Sequence, residues 1–85
     1  MLNKNLNLVK NNTIELPNNI EAEQAVIGAI LVSNEIFDEI NTIISHTNFY
    51  DPIHQKIFNA IESLIYKGML ANPITLKNYF ENEKD

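Results

Sequence analysis

The sequence predicts an all-α fold, a small orthogonal helical bundle of about four helices. Three observations carry this. Apolar residues recur at helical spacing through 34–45 and 52–67. Residues that start helices (Asn19, Ser33, Asp51-Pro52, Thr75) precede the apolar segments. No stretch alternates apolar and polar residues for long enough to make a strand.

The first helix is expected over 20–32. Asn18 or Asn19 supplies its cap, and Glu21 and Glu23 fall in the first turn, where the helix dipole favours anions. From Ala25 to Val32 the helix is apolar nearly all round, which predicts burial on more than one side. Ala25, Gly28 and Ala29 form a small-residue patch that another backbone can approach, either within the core or as a contact between subunits.

Ser33 is expected to cap a second helix over 34–45, with Ile36, Phe37, Ile40, Ile43 and Ile44 on its buried face. Asp51-Pro52 gives the clearest start, a good cap followed by Pro at the first helical position. The third helix, 52–67, carries its apolar stripe on Ile53, Ile57, Ala60, Ile61, Leu64 and Ile65, widened by Phe58. Lys67 suits its C-terminus, and Gly68 the left-handed residue just beyond. Met69 to Pro73 is read as a connector and Thr75 as the cap of a fourth helix, 75–84, with Leu76, Tyr79 and Phe80 on one face. No Gly or Pro stop follows, so the chain reads as cut short.

Two domain assignments follow. Residues 1–18 form a flexible arm, since Asn at 3, 5, 7, 11, 12 and 18 competes with helix and Leu2, Leu6, Leu8 and Val9 keep no period. The alternative is that the stretch from Leu6 to Ile14 docks on a partner or a neighbouring subunit. Residues 19–85 form the helical domain.

Composition narrows the function. Six Lys, no Arg and eleven acidic side chains give a net charge of −5 in 85 residues, a poor endowment for gripping phosphates. The absence of Cys excludes a disulfide scaffold and a thiol nucleophile, and two glycines leave no room for a glycine-rich phosphate loop. No export signal or membrane span is evident, so a cytoplasmic location is the expectation. His46 and His54 lie eight apart with no second ligand pair; His54 is expected to make a structural hydrogen bond and His46 to be exposed. The Glu21/Glu23 and Glu35/Asp38/Glu39 groups are read as solvated helix starts rather than acid–base or Mg²⁺ sites. No nucleophile–base–orienter set can be assembled, so no catalytic, cofactor or metal residues are assigned. The tyrosines and phenylalanines are read as packing groups, because base stacking needs a basic groove beside the rings.

Three stretches together resemble a known family. Pro17-Asn18-Asn19-Ile20-Glu21-Ala22-Glu23-Gln24-Ala25-Val26-Ile27-Gly28-Ala29-Ile30-Leu31 is similar to the opening of bacterial replicative DNA helicases of the DnaB family. Asn48-Phe49-Tyr50-Asp51-Pro52-Ile53-His54-Gln55-Lys56-Ile57-Phe58-Asn59-Ala60-Ile61 resembles a second family segment. The interval from Gly68 to Thr75 resembles a third. Asn48 and Asn72 stand where the family commonly has Asp; both keep a side-chain acceptor, so capping survives.

The resemblance runs from about Pro17 to Glu83. It implies the first helices of an amino-terminal bundle. In the family a helical hairpin follows, pairing subunits into a collar on a hexameric ring, and primase docks on the collar. A RecA-like motor that hydrolyses ATP with Mg²⁺ comes after a linker. No residue here matches an ATP, Mg²⁺ or DNA contact. The expected role is therefore non-catalytic: self-association, contact with other helicase subunits and primase docking. Candidate interface residues are Ala25, Gly28, Ala29, Tyr79 and Phe80. A free-standing acidic adapter that modulates helicase assembly and a helical DNA-binding domain are the alternatives. A unit of this size is near the lower limit for a self-sufficient core, so marginal stability and self-association through apolar patches are expected.

Overall fold

The computed structural model describes residues 19–83; the expected arm, 1–18, lies outside them. Four α-helices follow in order: α1 Ile20–Val32, α2 Phe37–Asn41, α3 Pro52–Tyr66 and α4 Pro73–Asn82. Single 3₁₀ turns at Asn34–Ile36 and His46–Asn48 precede α2 and α3. There is no strand among the described residues.

α3 is the organising element. Asp51 accepts the N–H of Ile53 at 2.8 Å, and Pro52 occupies the first turn, where a missing N–H costs nothing. At the other end Gly68 takes φ 79°, the left-handed region that suits glycine. The N–H groups of Gly68 and Met69 reach back to the carbonyls of Ile65 and Leu64, both at 2.9 Å, closing a Schellman motif. Against α3 pack α1, α4 and the turn at His46–Asn48. The core is a row of rings flanked by aliphatics. Phe58 lies 5.4 Å from Phe37 and 5.1 Å from Phe49, and Ile27, Ile30, Ile61, Leu64 and Leu76 close around them.

Several expectations change. The helix expected over 34–45 is a 3₁₀ turn followed by the five-residue α2, which stops at Asn41. The β-branched run Thr42-Ile43-Ile44 resists helix, the Thr42 hydroxyl donates to the Glu39 carbonyl at 2.7 Å, and Ser45 is extended to form a capping box with Asn48. Ser33 makes no cap bond; its hydroxyl donates to Glu35 Oε1 at 2.9 Å.

The fourth helix begins earlier than expected, because Asn72 rather than Thr75 is its cap. Asn72 Oδ1 accepts the N–H groups of Ile74 and Thr75, each at 2.9 Å, and the Thr75 hydroxyl accepts the N–H of Asn72. Pro73 therefore opens the helix instead of closing a connector, and the helix ends at Asn82.

On α3 the buried stripe runs through His54, Phe58, Ala60, Ile61 and Leu64, while Ile53 is 63% exposed. Finally, His46, expected to be exposed, is half-buried.

α1 is the largest correction. Its buried residues are Glu23, Ile27 and Ile30 alone; Ala25, Gly28 and Ala29 are exposed, and Val32 is 88% exposed. The helix is covered on one side, not on several.

Candidate interaction surface

The outward face of α1 is built by helix geometry. Residues 25, 28, 29 and 32 follow the three-and-four spacing that puts side chains on one face, opposite Ile27 and Ile30. No other part of the described fold lies within 4 Å of where a Cβ at Gly28 would sit. The small patch thus faces outward, and Gly28 is not demanded by internal packing.

The other two candidates lie on α4, and the structure does not make them equivalent. Tyr79 is half-buried, packs against the core and sits 5.9 Å below Lys67 Nζ, a cation–π distance. Phe80, next along the helix, is 37% exposed and meets Tyr79 edge to face at 5.5 Å. Leu76, expected on the same face, is buried.

One residue that sequence reasoning assigned to solvent is central. Glu23 is fully buried. Its Oε2 accepts the N–H of Tyr50 at 2.6 Å, and its Oε1 accepts the N–H of Asp51 at 3.3 Å and His54 Nδ1 at 2.8 Å. An ionised carboxylate only accepts, so the proton lies on Nδ1. Burial pushes the Glu23 carboxyl pKa up; the bonds from His54, Tyr50 and Asp51, with the attraction of the imidazole, outweigh this and hold it below its ordinary 4.5. No buried side-chain polar atom among the described residues lacks a partner. His54 thus makes the structural hydrogen bond expected of it. The signal for Glu23 was the pairing of a first-turn Glu with a His at the start of α3; its other donors are main-chain amides, which side-chain identity does not reveal.

Among the described residues no three His, Cys, Asp or Glu side chains come together as a metal site, and no helix is long and apolar enough to cross a membrane.

These features define a small all-α domain whose buried side-chain polar atoms, among the described residues, are satisfied and part of whose apolar surface is turned outward. The model of the DnaB-like helicase N-terminal domain family matches residues 15–85, and the chain belongs to that family. It is 42% identical to the replicative DNA helicase DnaB of Rickettsia typhi over 91% of this chain and 17% of that protein. It is 39% identical to the replicative DNA helicase DnaB of Buchnera aphidicola over 94% of this chain, again 17% of the relative. The similarity extends to the Pasteurella multocida replicative DNA helicase DnaB, at 37% identity over 76% of this chain and 13% of that protein. The chain thus spans less than a fifth of the length of these curated relatives. No solved structure matches it.

Proposed function

We propose that this domain acts in DNA replication as a non-catalytic assembly module of a replicative helicase, associating with its own kind and with other helicase subunits and offering a docking surface to primase. The observation that carries the reading is the outward face of α1, where Ala25, Gly28 and Ala29 let a partner's backbone approach closely and Val32 adds exposed apolar area. Phe80, with Tyr79 behind it, supplies a second contact on α4. Unwinding belongs to the relatives, replicative DNA helicases as whole proteins, and this domain is assigned no part in it.

Sedimentation velocity on the 85-residue chain tests the reading. The expected result is concentration-dependent association that Gly28→Leu abolishes, while the same change strengthens the monomer through helix propensity. A chain that stays monomeric at millimolar concentration and does not co-sediment with a full-length replicative helicase refutes it.

A further inference from the structure

We infer that the Glu23–His54 latch sets the rotational register of α1, and thereby determines that Ala25, Gly28 and Ala29 face outward. The hydrophobic pattern of this helix chooses a face only weakly. Every residue from Ala25 to Val32 is apolar or glycine; Ile27 and Ile30 are buried, Val26 and Leu31 are half-buried, and Val32 is almost fully exposed. A roll by one position, about 100°, replaces Ile27 and Ile30 with Gly28 and Leu31, or with Val26 and Ala29, so one of the two buried branched side chains is kept in either sense.

The same roll changes a great deal at Glu23. It takes the carboxylate away from three donors and leaves the Tyr50 and Asp51 amides without acceptors. The buried His54 ring loses its acceptor as well, and an unpaired buried group of this kind is costly. The amides belong to the entry of α3 and cannot follow α1 without unwinding its first turn. Glu23 and His54 are the only buried polar or charged side chains among the described residues. Selecting one packing register among alternatives is the best-attested service of such groups.

The chain has no Cys, so an introduced thiol reports its own exposure. Ala25→Cys and Ile27→Cys are made separately and their alkylation rates compared well below the melting temperature. In the parent chain the outward position is expected to react about 100-fold faster, the scale of local protection in a folded helix. In the Glu23→Leu/His54→Leu background, and in Glu23→Gln, the cooperative melt is expected to survive while the contrast falls below about tenfold. An unchanged contrast in a folded variant overturns the inference, as do equal rates in the parent chain. Loss of the cooperative melt in both variants also overturns it, because Glu23 then serves stability and not register. A purely stabilising role lowers the melting temperature without altering the contrast. The readout is thiol exposure, so it stands apart from the outcome of the sedimentation test.

Discussion

The side chain of Asn34 clasps both main-chain polar groups of Ala71. Its Oδ1 accepts the Ala71 N–H at 2.8 Å, and its Nδ2 donates to the Ala71 carbonyl at 3.0 Å and to the Ile30 carbonyl at 2.8 Å. Ala71 is completely buried, so no water replaces the amide. One side chain thus ties the end of α1 to the approach to α4.

Asn34→Ala is expected to destabilise the chain by about 1–3 kcal/mol, the cost of stranding buried main-chain groups. Asn34→Asp keeps the acceptor but sets a carboxylate against two carbonyl oxygens, and at neutral pH is expected to cost more than Asn34→Ala. Urea unfolding of the two variants ranks them; equal midpoints contradict the role assigned to the donors.

Acid sensitivity follows from Glu23. Its folded pKa lies below the ordinary 4.5, so the unfolded chain binds the proton first as pH falls. The stabilisation is complete above the ordinary value and is lost as pH drops through the lowered folded value. Stability measured from pH 7 to pH 3 is expected to fall less steeply below 4.5 in Glu23→Gln than in the parent chain. Parallel curves for the two count against the latch.

Gly68→Ala is expected to cost about 1 kcal/mol through the left-handed backbone alone, since nothing lies within 4 Å of its Cβ position. That corresponds to a melting temperature lower by roughly 4–8 °C in a domain of this size. Gly68→Asn is expected to lose less, because Asn tolerates that region. Thermal melts followed by circular dichroism decide the order.

Gly28→Ala is expected to raise stability by about 0.8–1 kcal/mol, the helix-propensity difference at an exposed interior position. A loss of stability instead would place Gly28 against something in the fold, contrary to its open surroundings.

The sequence made some elements plain and hid others for physical reasons. α3 was legible at both ends because Asp51-Pro52 and Lys67-Gly68 act locally, through their own backbone. Asn19 likewise caps α1, accepting the Ala22 N–H at 3.0 Å. The early stop of α2 was not legible: Ile36, Phe37, Ile40, Ile43 and Ile44 keep helical spacing, yet Ile44 reaches the core from a loop while Ile43 is 55% exposed. Thr75 was recognised as part of a cap but given the wrong half of a reciprocal pair with Asn72. The small residues of α1 were visible from the start; which way they face was not, because that depends on Glu23.

The entrance to α3 carries one further consequence. Its own Asp51 satisfies the Ile53 amide, while the Tyr50 and Asp51 amides just upstream are held by Glu23 from α1. Lifting α1 away therefore frays α3, and unwinding the start of α3 releases α1. The two helices come apart together, so a small unit with a thin core behaves as a single cooperative body where a looser joint would have let α1 breathe alone.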